Sequence, residues 1–258
     1  MSPKITAIGN RKGGVGKTSI TLGLATALAL MGKRVCVVDL DPQADATETL
    51  GGVGDFNIFD VLYGGEAGTL GQAAVPTTWS RIDMVPGSQD LLRIDTENLM
   101  GAEMRLRAAA QGSEELDAYD HVLIDLPPAL GRLTLNGLIA ADEVIVVTEP
   151  GTYSVRGVTE FLQTVEKVQA APYLNPALIF AGIIVNKVSS PLTGEHKFQI
   201  EQLTGEFGAL VHEPYLPLRT AMQDSQSAGI PLTKIGTRGA SILTERFVEH
   251  ARRINGGK

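Results

Sequence analysis

Along the chain, short β-branched and apolar runs alternate with longer segments whose apolar residues recur at helical spacing. "KITAIG" (4–9) is followed at once by glycines and predicts a strand. Residues 17–31 are rich in Leu, Ala and Thr, lack proline and stop at Gly32, a good C-terminal cap, so they predict a helix that is apolar on most sides and buried. "KRVCVVDLD" adds a second apolar strand, completing a strand–loop–helix–strand unit with parallel strands and a right-handed crossover. Further strands are expected at 81–86, 121–126, 143–149 and 178–186, separated by helical patterns over 91–110, 133–141, 155–170 and 198–207.

This alternation predicts an α/β fold over residues 1–258, a single-domain, doubly wound, mostly parallel sheet flanked by helices. Ligands in such sheets bind beyond the carboxyl ends of the strands. Three stretches are less regular. Residues 51–79 are expected to form a glycine-rich surface excursion with a short helix near 58–62, while 186–197 and 216–239 hold the late prolines and glycines and are expected to be loops at the same edge. In the final segment Leu243, Phe247, Ala251 and Ile254 recur at helical spacing and predict a helix packed on the domain.

Composition narrows the class. With 258 residues, 43% of them hydrophobic, the chain can bury one large core. It has no apolar run of membrane-spanning length, and residues 1–9 lack the pattern of a signal peptide, so a cytoplasmic location is expected. The one cysteine, Cys36, lies in an apolar strand, which excludes an intrachain disulfide and argues against a cysteine-built metal centre. Residues 1–186 hold 13 Lys and Arg against 22 Asp and Glu, whereas 187–258 hold 9 against 7. An acidic total speaks against a protein coated in nucleic acid but leaves room for a basic patch in the last quarter.

The chemistry concentrates in "NRKGGVGKTS", Asn10 to Ser19, which follows the phosphate-loop spacing G-x-x-x-x-G-K-[ST] except that Arg11 replaces the first glycine. Gly13, Gly14 and Gly16 let successive backbone N–H groups face an anion at a helix N-terminus. Lys17 is expected to reach the β- and γ-phosphates of ATP, and the Thr18 hydroxyl to bind Mg²⁺. Asp125 ends a hydrophobic strand where a carboxylate can join the magnesium shell. Asp41, in "VVDLDPQAD" and read as lying next to the first strand, can orient an attacking water. A second lysine, Lys12, is not needed to hold one set of phosphates.

"KGGVGKTS", "VVDLDPQADAT", "HVLIDLPPALGRLTLNGLIAADEVIVV" and "IIVNK" together resemble the ParA-type partition ATPases of the deviant Walker A class of P-loop NTPases, which also contains MinD and the nitrogenase iron protein. The resemblance spans nearly the whole chain. It implies a homodimer that sandwiches two ATP, with Lys12 crossing to the partner's phosphates, Gly13 staying small where the loops meet, Asp41 activating water and Asp125 in the magnesium shell. It extends nucleotide contact to Val15, Ser19 and Pro217, and makes Asn186 an adenine reader, for which a simple strand-end cap is the alternative. Arg219 matches a DNA-contacting arginine; Lys187, Lys234, Arg238, Arg252 and Arg253 are candidates on charge alone.

The implied partners are non-specific DNA of the nucleoid and a ParB-type adaptor that stimulates hydrolysis and positions a chromosome origin or plasmid. The loop begins about ten residues from Met1, so no N-terminal helix-turn-helix domain is expected. Two departures stand out: Arg11 replaces the more common Gln, and Asp45 the usual Asn. The cysteine-built carriers and the tyrosine kinases of the class are excluded by the lone Cys36 and by scattered tyrosines. The competing reading is a MinD-like or orphan cargo-positioning switch at a membrane or cell pole, motivated by Asp45 and the C-terminal stripe. Glu245 and Glu249 dilute the charge of that stripe, and membrane binding is not favoured.

Overall fold

A computed structural model describes residues 2–256. Its strands are β1 (Lys4–Gly9), β2 (Val35–Asp39), β3 (Val75–Pro76), β4 (Ile82–Val85), β5 (His121–Asp125), β6 (Glu143–Thr148), β7 (Ile179–Val185) and β8 (Val211–His212). They form one sheet in the order β3-β4-β2-β5-β1-β6-β7-β8, parallel throughout except for the β3–β4 pair at one edge. Every residue of β2, β5 and β6 is buried, as a parallel sheet covered on both faces requires.

The helices divide between the faces. On one side α3 (Ile58–Gly64), α5 (Arg105–Ala110), α6 (Arg132–Ala140), α7 (Ser154–Ala170) and α8 (Gly194–Phe207) contribute Leu62, Leu106, Leu138, Phe161 and Leu203 to a single apolar cluster. On the other, α1 (Lys17–Leu30), α9 (Thr220–Ala228) and α10 (Arg238–Ile254) contribute Leu24, Ala221 and Phe247 to a second. Two short helices, α2 (Asp45–Leu50) and α4 (Leu92–Thr96), follow β2 and β4 at the carboxyl edge.

Four expectations need correction. Residues 51–79 are not a surface excursion: Ile58, Leu62, Leu70 and Trp79 are buried in the core, and β3 joins the sheet edge. Asp41 does not lie beside β1, because β5 intervenes: Asp125 is in register with Ile8 on one side and with Asp39 on the other. The pattern over 91–110 is not one helix. Glu97 is extended after α4, Gly101 adopts a left-handed φ of 60°, and Asp95 accepts from the backbone N–H of Arg132 at 2.6 Å, so it serves the start of α6 instead. Within 216–239, expected to be loop, α9 forms because its buried face consists of small residues, Ala221 and Ser225, and Gly229 closes it in the left-handed conformation.

The C-terminal helix packs on the domain as expected, against α1. Leu243, Phe247, Ala251 and Ile254 are all buried, and the Phe247 ring sits so close to Gly23 of α1 that a Cβ there would lie 2.2 Å from it. The apolar stripe that a membrane surface would need is therefore occupied by the core. No helix of the described residues is long and apolar enough to cross a membrane.

His250 also secures α10. It is buried, with Nε2 2.9 Å from the Pro214 carbonyl. Burial lowers its pKa from 6.5 to about 4; the Pro214 bond opposes this, while His212, Arg253 and Arg246 add to it. A base whose folded pKa is depressed stabilises the fold above its unfolded value, and that contribution is lost as pH falls from about 6.5 towards about 4. The full effect is about 3 kcal/mol. Buried carboxylates with raised pKa act in the opposite direction, so the comparison must be between variants. The urea midpoint of His250→Gln should fall less between pH 7 and 4.5 than that of the unaltered chain; parallel curves would show that His250 does not carry this acid sensitivity.

Candidate nucleotide site at the carboxyl edge of the sheet

The loop from Asn10 to Gly16 leaves β1 and enters α1 directly. Asn10, buried, donates from Nδ2 to the Val147 carbonyl of β6 at 2.6 Å and accepts the Lys12 backbone N–H at 3.1 Å, fixing where the loop starts. Gly16 ends the loop with φ 93°, and a Cβ there would lie 2.4 Å from the Asn186 amide nitrogen, so glycine is required by both conformation and space. Gly13 differs: the nearest atom to a Cβ there would be Pro128 Cβ at 4.0 Å, so the chain's own packing makes no such demand.

A cavity of about 420 Å³ opens over this loop, within the range of small-ligand sites. Gly13, Gly14, Gly16, Lys17, Thr18 and Ser19 form its floor. Asp41, Gln43 and Asp45 line one wall; Asn186, Lys187, Pro217 and Arg219 line another. Thus residues expected from separate motifs converge on one space.

At the base of the cavity lies a buried polar cluster. Thr18 Oγ1 donates to Asp125 Oδ2 at 2.6 Å, and Thr21 Oγ1 lies 3.1 Å from Asp125 Oδ1. The Thr18 proton is thereby committed to the carboxylate, leaving the hydroxyl lone pairs free for a cation. This donor set fits Mg²⁺, held directly by Thr18 with Asp125 behind it. Burial raises the Asp125 pKa, repulsion from Asp39 adds to the rise, and Thr18 and Lys17 oppose it. Lys17 is buried beneath the loop. Burial lowers its pKa, while Asp125 and Asp41 support the charged form. An anion binding at the loop would add further support to that charge.

Asp39 is a buried acid beside the site that sequence reasoning missed. It is wholly buried and accepts from Thr47 N at 2.9 Å and Thr47 Oγ1 at 2.7 Å, while the Asp41 N–H reaches its other oxygen at 3.2 Å. Burial raises its pKa, and the Thr47 bonds work against that rise. Its signal was available: "VVDLD" places an acid at the end of a fully apolar strand, two residues before Asp41. Asp41 itself is half-buried at the cavity wall and accepts the Gln43 N–H at 3.0 Å.

Other expected residues take distinct positions. Val15 has a fully buried side chain, so only its backbone can serve a ligand, and its carbonyl accepts from Asn186 Nδ2 at 2.9 Å. This bond ties the end of β7 to the loop. Ser19 donates to Gln226 of α9 at 3.2 Å. Lys187, a candidate for DNA on charge alone, donates to the Gly14 carbonyl. Arg219, at the start of α9, is half-buried at the cavity wall. Lys12 is 47% exposed at its side chain and pairs with Glu149 at 2.7 Å. Arg11, one of the two departures, pairs with Glu160 of α7.

A parallel sheet with a glycine loop, a buried lysine and a Thr–Asp pair at its carboxyl edge defines a P-loop nucleotide hydrolase. The chain matches the AAA domain family model over residues 3–180. It is 33% identical over 235 residues to the chromosome partitioning protein ParA of Caulobacter vibrioides, covering 89% of this chain and 86% of that one. It is 32% identical over 255 residues to the sporulation initiation inhibitor protein Soj of Bacillus subtilis, covering 96% and 98%. A crystal structure of cobyrinic acid a,c-diamide synthase from Mycobacterium smegmatis with bound ADP and magnesium superposes with a TM-score of 0.78 at 31% identity, over 97% of this chain and 94% of that one. The chain belongs to the ParA/Soj family of partition ATPases. ATP and Mg²⁺ are the cofactors that go with this membership, and the donors described above fit them.

Thr47 is the test of the buried cluster. Its hydroxyl donates to Asp39 and accepts the Gly87 N–H at 2.8 Å. Thr47→Val keeps the shape, strands the Gly87 N–H and leaves Asp39 Oδ2 with the Thr47 backbone N–H alone, so unfolding in urea should show a loss of about 2 kcal/mol. A change within error would mean that water replaces the hydroxyl.

Proposed function

We propose that the described residues act as one ATPase domain that dimerises around two Mg·ATP, binds DNA without sequence preference in that state, and is released when an adaptor protein triggers hydrolysis. The observation carrying this reading is the contrast between the two loop lysines. Lys17 is buried under the cavity, and Lys12 is half exposed and paired outside it. A cation so placed is available to a nucleotide held by a second copy, in the manner of an arginine finger. The open space at Gly13 supports the same reading, because a demand for glycine there would come from bound phosphate or from a facing loop. Leu130, Tyr153 and Leu218 are exposed apolar residues, Leu218 on the cavity wall, and suit burial in a dimer.

The roles are those the family resemblance implies for these positions. Backbone N–H groups of Gly13 to Thr18 cradle phosphate at the start of α1, Lys17 neutralises it from below, and Ser19, Asn186 and Pro217 border the rest of the nucleotide. Thr18, with Asp125 behind it, would hold Mg²⁺, which would supply charge neutralisation at the phosphates. The Asp41 carboxylate accepts a hydrogen bond from the attacking water and orients it. Arg219 then contacts DNA phosphate, with sequence-independent and salt-sensitive strength. The working location is the cytoplasm, on the nucleoid, with a ParB-type protein as adaptor and a chromosome origin or plasmid as cargo. A second reading, a slow cargo-positioning switch, is favoured by Asp45 alone: it adds a carboxylate beside Asp41 on the cavity wall, and partner-stimulated turnover separates the two readings.

Lys17→Ala should lose ATP binding altogether, whereas Lys12→Ala should keep binding as a monomer and lose ATP-dependent dimerisation in sedimentation velocity. A Lys12→Ala dimer of unchanged stability contradicts the role across the interface. Asp41→Ala should accumulate as an ATP-bound dimer retained on random-sequence duplex and released by raised salt, without binding anionic liposomes. Normal hydrolysis in that variant puts the water-orienting group elsewhere; liposome binding without DNA binding favours the membrane alternative.

A further inference from the structure

Lys12 is not free in the single chain. Its ammonium pairs with Glu149 Oε1 at 2.7 Å, and the other oxygen of the same carboxylate lies 3.8 Å from Lys187 Nζ, whose own bond goes to the Gly14 carbonyl. Glu149 follows β6, the strand to which Asn10 anchors the start of the loop. Both ends of the Lys12–Glu149 pair are therefore built on one rigid edge. The Glu149 side chain is 24% exposed, so the pair is partly shielded from water but not locked in the core.

From this geometry we infer that Glu149 is a positioning residue that parks Lys12 on its own subunit and raises the threshold for ATP-dependent dimerisation. The inference rests on the proposed crossing of Lys12. To reach a second copy's phosphates, Lys12 must leave Glu149, and the carboxylate then keeps only the more distant Lys187. A partner's phosphates, with several anionic oxygens, compete for the ammonium; a surface with no such charge does not. The pair thus favours the monomer until nucleotide is present on the facing subunit. Its partial exposure limits the effect to that of a screened ion pair.

Glu149→Gln keeps the size of the side chain and removes the charge. In ATP, the dissociation constant of the dimer measured by sedimentation should fall about two- to five-fold, the range expected for an exposed pair. In ADP the variant should stay monomeric, and Glu149→Asp, which retains the charge, should fall close to the unaltered chain in ATP. Those three results together support the inference, since a purely structural loss at Glu149 would weaken the dimer and would not spare the aspartate. An unaltered chain that dimerises in ATP while Glu149→Gln binds its copy equally or more weakly overturns the inference and leaves the dimer reading standing. An unaltered chain that stays monomeric in ATP overturns the dimer reading, and this inference with it.

Discussion

The hydroxyl of Thr18 reaches a carboxylate with almost no exposed surface, Asp125, and much of the molecule is arranged to make that contact possible. Strand β5 must end level with the first turn of α1, which requires the β1–α1 loop to turn within a few residues. A buried carboxylate is tolerated only when paired and hydrogen-bonded, and Asp125 has Lys17, Thr18 and Thr21 for that purpose. The same groups that satisfy it leave a cation, a hydroxyl and backbone N–H groups facing one cavity. The stability of the core and the chemistry of the site therefore share one set of side chains.

The parallel order of the sheet extends this arrangement. Asp39 and Asp125 end adjacent strands in register, so two buried acids sit side by side, with Asp41 two residues beyond the first. Repulsion between these charges is offset by the Thr47 bonds on one side and by Lys17 on the other. A divalent cation binding at Thr18 would relieve part of that repulsion, which gives a physical reason for nucleotide and metal to bind together.

Much of this was legible in the sequence because apolar strands and glycine loops are local signals. The six longer strands, the phosphate loop, Asp125 and the buried C-terminal stripe all follow from patterns within a few residues. What was not legible depends on distant contacts. Strand adjacency is set by the whole sheet, so no residue near Asp41 in sequence signals that β5 separates it from β1. Asp95 reads as part of a long helix until α6 claims it as a cap. Helix α9 hides its buried face in Ala221 and Ser225, and the two-residue strands β3 and β8 are too short to carry a pattern. Lys187 reads as a surface charge, yet its partner is the Gly14 carbonyl 173 residues earlier.

The two lysines of the loop are set apart by burial rather than by sequence: Lys17 is buried under the cavity, and Lys12 is half exposed and paired with Glu149. If each serves a different nucleotide, two defective chains should repair each other. The decisive measurement is ATP turnover in mixtures of Lys17→Ala and Lys12→Ala at a fixed total concentration. A mixed dimer places the intact Lys12 of one chain against the nucleotide held by the other, so activity should rise above either variant alone and peak near equal proportions. Turnover that never exceeds the weighted sum of the two variants, with mixed dimers demonstrably formed, would contradict the account.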